Sequence, residues 1–574
     1  MNIRMSFGAI WVAFLLAGAT TSSGQEPVST GITITSRTRL VQVPVVVSDK
    51  SGRHVPGLGK NDFVLIEGGK EKQIASVEEV KTTNTRFSRP AEQRGSYSNA
   101  LSGDQAPKRL TIFALDVLNT PFLDQSYARA QLLKFLANRL DKQEPTALVS
   151  ISANGIRVMH DFTTDPAVLV EALQRATGTI PDTKGATDQI STETADLGGF
   201  TGGGGGGGPD PYVSLAMRQA ITVTLQSFQH VAEAYAGVPG RKSLIWATAS
   251  FPFGLDPTTG SILSPQLFDP GTVRYGGSGV LDHSGDLPSL PSSTEIRSGD
   301  DLKSLEPMYR RTIQMLNDAN ISIYPVDARG LVVFFPGADV TRIEKLSSYN
   351  EALFESSRNT MVGFAEMTGG KAFYNRNDLD VAFAKAAADS ANYYMLGYYL
   401  DKDTKPGWHK LQVKTKHEGS QVRARNGFFV TPGKDEKDDL RMDVKMALAS
   451  PLDYTALPLT VRWTGLDAAG EKKKLHFRMD FPPSANLVNV GDNNHMSLEI
   501  VALARAANSE PADQFSRHLE ANFKPDALQS LQRDGLNYSN ELQVPHGEYT
   551  VRFVVRDNLT GRLGSLTAPV RVKP

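Results

Sequence analysis

Cysteine is absent from the chain. That excludes disulfides, thiolate metal sites and cysteine nucleophiles together. Large domains outside the cytoplasm can do without disulfides because their cores suffice. Net charge is equally scarce. Lys and Arg number 61 against 62 Asp and Glu, and the balance of -1 creates no field that recruits nucleic acid or an anionic membrane. The basic run Lys472 to Lys474 is too short to change that, and such runs are ordinarily solvated. After the first 24 residues no stretch of ~18 uncharged apolar residues occurs, so no membrane span is expected in the mature chain. The ten histidines form no H-E-x-x-H pattern, and no G-x-S-x-G elbow is present. The glycine run 202–208 meets G-x-G-x-x-G trivially. No strand precedes it and no Lys-Ser/Thr follows, so it reads as a flexible loop and not a phosphate cradle.

The N-terminus supplies the compartment. Arg4 precedes an apolar run from Phe7 to Ala19, and small residues follow to Gly24. This is the pattern of a secretory signal over residues 1–24, and it predicts a periplasmic or secreted protein. With no Cys after the run, a lipid anchor at that position is excluded.

At 574 residues the chain is expected to hold about three domains. Residues 31–82 read as short strands parted by Gly turns, which predicts a small β-sandwich. Pro44, inside the first strand, must then lie at an edge or a bulge. Residues 83–107 read as a polar linker. From 108 to 391 apolar strands alternate with amphipathic helices, interrupted by loops at 177–211 and 251–300. That alternation predicts a doubly wound α/β domain with a mostly parallel sheet. Residues 392–431 read as a β extension, with 393–400 and 408–415 as an antiparallel pair, and 440–574 as a C-terminal β-sandwich.

One stretch organises this plan. Leu110 to Leu115 is an apolar run that ends at Asp116, and Asn119 and Thr120 follow in a short loop before a helix. An open α/β sheet builds its site at such strand ends. Asp327 ends a later strand the same way. Phe251 and Phe253 form an apolar loop tip after the strand Ser243 to Thr248. Asp327 faces the site or pairs with Arg329, and the Phe tip meets a partner or folds onto the domain. The tyrosines at 393, 394, 398 and 399 stack sugars or fill a core.

Six segments, in three groups, carry a resemblance. Val45 to Gly52 with Leu58 to Phe63 is similar to the leading β module of the von Willebrand factor type A-related proteins described from Acidobacteria. Leu115 to Pro121 resembles their first strand and loop. Tyr324 to Leu331, Thr368 to Gly370 and Val422 to Phe428 resemble their later blocks. The resemblance implies a type A-like domain that binds a protein partner in the envelope or outside the cell. It also implies Mg²⁺ above the sheet, held through Asp-x-Ser-x-Ser, a Thr and a later Asp, an oxygen set that suits the ion. Asp116 and Thr120 match that motif. Leu118 does not, and no Asp follows Thr248, so Asn119 would have to compensate. The other role for Asp116 is to cap the helix or bond the loop. Two further functions are an envelope assembly factor with no discrete ligand, and a metal-dependent hydrolase using Asp116, Asp327 and His160. The hydrolase requires these three to converge on one ion or reacting atom.

Overall fold

Valines at 41, 43, 45 and 47 alternate with other residues and turn one face of strand β1 (Leu40–Ser48) into a core. The structure is a computed structural model that describes residues 2–3, 40–81, 95–100, 109–142, 144–177, 211–249, 254–256, 261–263, 304–331, 356–389, 391–401, 403–430, 436–470, 472–489 and 494–573. The expected signal segment, both expected loops and the Phe251–Phe253 tip lie outside the described residues, apart from residue pairs and triplets within them.

After β1 come β2 (Phe63–Glu67), β3 (Lys70–Lys72) and β4 (Ile74–Val80). They do not make a sandwich by themselves. β1 and β4 flank β11 (Tyr393–Tyr399), and β2 pairs with β12 (Gly407–Thr415). β13 (Gln421–Arg423) joins β1, and β14 (Gly427–Val430) joins β12. Two four-stranded antiparallel sheets result, sharing a core of Val43, Val45, Leu65, Tyr394, Leu396 and Leu411. This corrects the expectation of a separate 31–82 sandwich with 392–431 as its own extension. It also corrects the expected pairing of 393–400 with 408–415, because those strands lie in different sheets. Tyr393, Tyr394 and Tyr398 are core residues here, and Tyr399 is exposed. Beside Pro44 β1 is locally an edge, because β13 reaches only Val46 to Ser48.

Between these two segments lies the α/β unit. It contains β6 (Arg109–Asp116), α1 (Phe122–Asn138), β7 (Thr146–Ser152), β8 (Gly155–Thr163), α2 (Pro166–Thr177), α3 (Pro211–Tyr235), β9 (Arg241–Thr248), α4 (Glu306–Asp318), β10 (Ile321–Asp327), α5 (356–368) and α6 (Leu379–Ala388). The sheet order is β10-β9-β6-β7-β8. Every pair is parallel except β7 with the edge strand β8. A single parallel bridge from Val326 to Phe373 extends the β10 edge. β6 is buried on both faces, which is why its sequence is a nearly unbroken apolar run. Leu110, Ile112 and Ala114 face α3, α4 and α5, whereas Phe113 and Leu115 face α1 and α6. The chain is thus a mixed α/β protein whose parallel sheet sits among antiparallel ones.

Residues 460–572 form the last unit. β15 (Thr460–Ala469), β16 (Lys472–Phe481) and β19 (Leu536–Val544) make one sheet. β17 (His495–Ala506), β18 (Pro511–Asn522), β20 (Gly547–Asp557) and β21 (Leu563–Val572) make the facing one. One core joins them, built on Phe477, Met479, Val551 and Phe553. The expected linker 83–107 contributes β5 (Ser96–Ser98), which pairs with β15. Helix α7 (Glu436–Ala449) packs on β20. Among the described residues no helix is long and apolar enough to cross a membrane.

Candidate functional site

Side chains alternate along a strand, so Asp116 falls on the same face of β6 as Leu110, Ile112 and Ala114. On the neighbouring β9, Trp246 and Thr248 share that face, with Trp246 in register with Ala114. Both reach the Asp116 carboxylate. Trp246 Nε1 donates to Oδ2 at 2.9 Å and Thr248 Oγ1 donates to it at 3.0 Å. The loop closes back on the same group. Asn119 Nδ2 donates to Oδ2 at 2.8 Å and Asn119 N to Oδ1 at 3.0 Å. Asp116 is 2% exposed. Burial pushes its carboxyl above the usual carboxylate range, and the four donors pull against that shift.

The rest of the loop is tied down similarly. Asn119 Nδ2 also donates to Thr224 Oγ1 of α3 at 2.9 Å. Thr120 Oγ1 accepts from Ala249 N at 3.1 Å. Gln125 Nε2 donates to the carbonyls of Val117 and Thr120 at 3.0 and 2.6 Å. Val117 and Leu118 hang on the Ile151 carbonyl and are themselves buried.

These residues do not fit a divalent ion. The Asp116 oxygens already accept four hydrogen bonds, Thr120 Oγ1 faces a backbone N–H, and Leu118 occupies the middle ligand position. A Mg²⁺ held by Asp116, Asn119 and Thr120 would have to break this network. Of the two roles read for Asp116, the bonding of its own loop describes the geometry. Among the described residues no group of three or more His, Asp or Glu is arranged to hold a metal.

Asp327 does end β10 at the same edge of the sheet, level with Thr248. Its carboxylate is taken by Arg329, whose Nε and Nη2 donate at 2.8 and 2.7 Å and whose N donates at 3.1 Å. His160 lies on β8, and its Nδ1 is 2.5 Å from the Asp161 carbonyl. Four inter-strand steps separate His160 from Asp327, about 19 Å at the usual strand spacing. Asp116, Asp327 and His160 therefore do not converge on one atom, and the hydrolase constellation is not formed.

No family model matches the chain, and no curated protein does. Among solved structures, the N-terminal domain of TFIIH p34 aligns with 43% of this chain and 97% of its own at 12% identity, with a TM-score of 0.17. A glycosyl hydrolase family 2 member from Bacteroides cellulosilyticus aligns with 32% of this chain and 22% of its own at 8% identity, with a TM-score of 0.14. Scores this low carry no argument about this chain.

What the strand-end edge does offer is apolar surface. Phe122 is 50% exposed and Leu123 is 81% exposed at the start of α1, and Leu331 is 47% exposed just after β10. The two places adjoin. A Cβ built on Gly330 would lie 3.5 Å from Tyr127 Cε1, and Tyr127 stands one turn beyond Leu123 on the same helix face. Asn377 fastens the corner, accepting from Leu331 N at 2.8 Å and from the Tyr127 hydroxyl at 2.5 Å. The sequence reading named Asp116, Asn119, Thr120, Asp327 and the Phe251–Phe253 tip at this edge and missed Phe122, Leu123 and Leu331. The signal was available: Pro121-Phe-Leu123 and Leu331-Val-Val-Phe-Phe335 are apolar segments directly after strand ends.

Proposed function

We propose that the chain is an extracytoplasmic protein-binding protein, related to von Willebrand factor type A proteins, that holds its partner on the strand-end rim of the α/β unit without a metal ion. The observation that carries this is the adjoining exposure of Phe122, Leu123 and Leu331 above a loop locked by hydrogen bonds. A rigid base under an apolar rim keeps the ordering cost of association low. Large exposed apolar residues grouped together mark contact sites, whereas scattered ones do not. The sheet order, with one antiparallel edge strand, supports the type A reading beside the motifs at Leu115–Pro121 and Tyr324–Leu331. The compartment rests on the N-terminal sequence pattern alone.

The test is saturable capture of an envelope or extracellular protein by the full chain, compared with a Leu123→Asp, Leu331→Asp double variant. Both side chains are exposed, so the variant keeps its thermal midpoint. Capture that disappears in the variant supports the rim. Capture that is unchanged rejects it. Absence of any saturable partner favours the assembly-factor function.

A further inference from the structure

The dipeptide Asn-Gly occurs twice in the chain, at Asn154–Gly155 and at Asn426–Gly427. The two copies stand in opposite surroundings. The first turns β7 into β8. Ile151, just before it, is in register with Asp116, and its carbonyl accepts from Val117 N and Leu118 N at 3.0 and 3.2 Å. The turn therefore stands at the carboxyl edge of the sheet, beside the Asp116 loop. Ala153 and Asn154 are exposed at its tip. Gly155 has φ +91°, and a Cβ built on it would meet nothing within 4 Å.

The second copy leads into β14 and is held on every side. Asn426 N donates to the Glu366 carbonyl at 3.0 Å, and the Asn426 carbonyl accepts from Leu411 N at 2.7 Å. Gly427 pairs with Lys410 of β12. A Cβ built on Gly427 would stand 2.2 Å from Trp408 Cζ2 and 2.7 Å from the His409 carbonyl oxygen. The peptide between Asn426 and Gly427 cannot swing without opening this pairing and lifting off the indole.

That difference decides a reaction. Asparagine is a thermally labile residue, and a following glycine, without a Cβ, lets the chain fold back on the side chain. The glycine N–H gives its proton to hydroxide, and the nitrogen attacks the asparagine Cγ. A new N–Cγ bond forms, the Cγ–Nδ2 bond breaks, and ammonia leaves. Water then opens the cyclic imide at either carbonyl. One product is aspartate. The other is isoaspartate, in which the backbone runs through Cβ and Cγ. We propose that Asn154 is a site of spontaneous deamidation in the folded protein, and that Asn426 is protected from it. The product places a new carboxylate on the strand-end edge of the α/β unit. The isoaspartate form also lengthens the turn, and because β8 is an edge strand the parallel pairs of the sheet are left in place.

The full chain is held folded at mildly alkaline pH and sampled over time, and its peptides are weighed and separated. The peptide containing Asn154 is expected to gain the mass of an amide-to-acid exchange, as aspartate and isoaspartate together, and to do so faster as pH is raised. The peptide containing Asn426 is expected to convert about a hundredfold more slowly, a ratio equal to an opening free energy of about 2.7 kcal/mol. In concentrated urea the protection is lost, and both peptides are expected to convert at like rates. Asn154→Gln, an exposed change, is expected to abolish the fast release of ammonia from the folded chain. Equal rates at the two positions in the folded chain overturn the proposal. So does conversion at Asn154 that begins only in urea, because the turn would then protect its own amide. Undiminished ammonia release from Asn154→Gln overturns the assigned residue. None of these outcomes depends on whether the rim captures a partner.

Discussion

Replacing Asp116 discriminates most sharply between a structural knot and an ion site. In Asp116→Ala four donors lose their acceptor at once: Asn119 N, Asn119 Nδ2, Trp246 Nε1 and Thr248 Oγ1. Hydrogen bonds to a charged group contribute about 1.5–3 kcal/mol each. Thr248 and Asn119 can turn to other acceptors, but the indole of Trp246 is packed between Phe228 and Phe364 and cannot. The net loss is therefore nearer to breaking one buried charged network, about 3–5 kcal/mol, than to the full sum. For a unit of this size that corresponds to a fall of about 10 °C in the thermal midpoint. Asp116→Asn keeps one acceptor but turns an NH₂ group toward donors, so it falls between Ala and the natural residue. The assay is scanning calorimetry of full chains with Mg²⁺ and with chelator. The expected result is a lowered midpoint for both variants and no effect of Mg²⁺ on any of the three proteins. A midpoint for Asp116→Ala within ~2 °C of the natural chain would refute the network argument. A Mg²⁺-dependent rise seen only with Asp116 intact would refute the statement that these residues do not fit the ion.

Neighbouring glycines give a graded test. A Cβ at Gly370 would stand 1.9 Å from the Ile323 carbonyl oxygen of β10, so Gly370→Ala should cost about 3 kcal/mol or more. Gly369 has φ +78°, and Gly369→Ala should cost less, about 1–2 kcal/mol for the left-handed backbone. Denaturant midpoints in the reverse order would contradict the packing at β10. His230 sets a pH dependence. Burial, then the Arg552 charge, hold its imidazole down from 6.5 to about 4, and its Nδ1 lies 2.7 Å from the Tyr454 hydroxyl. The unfolded chain gains this proton near pH 6.5 and the folded chain only near pH 4. The contribution of His230 is thus complete above pH 6.5 and is lost as pH falls toward 4. Denaturant midpoints of the natural chain should decline across that window more steeply than those of His230→Gln; parallel curves would remove His230 from the account.

The sequence made the α/β unit legible because its signals are local. A strand buried on both faces needs an apolar run, and Arg109–Asp116 and Ser243–Thr248 have one. Strand partners are another matter. Alternation decides which side of a strand is buried, but it does not name the neighbour, so nothing near Leu40 points to Tyr393–Tyr399. β5 is only Ser-Tyr-Ser, with Tyr97 alone packing on the core, and three residues are too few to show a periodicity. At the site, the spacing of Asp116 and Asn119 matches a self-bonded loop as well as it matches ligands. The choice was made by Trp246 and Thr248, 130 and 132 positions away. Chemistry that depends on a distant donor is invisible to a motif.

The interleaved sandwich has a consequence for how the protein comes into being and how it can be cut. β1 is synthesised early, yet its neighbour β11 emerges only some 350 residues later. Until then its valines wait for a partner, and the whole α/β unit is the loop being closed. A folded unit shortens that loop by presenting its two ends together, so its own folding should precede the clasp. Excision of residues 108–430 would strand β11 between two missing neighbours, β1 and β4. Any dissected version that keeps Tyr393–Tyr399 must begin no later than Leu40.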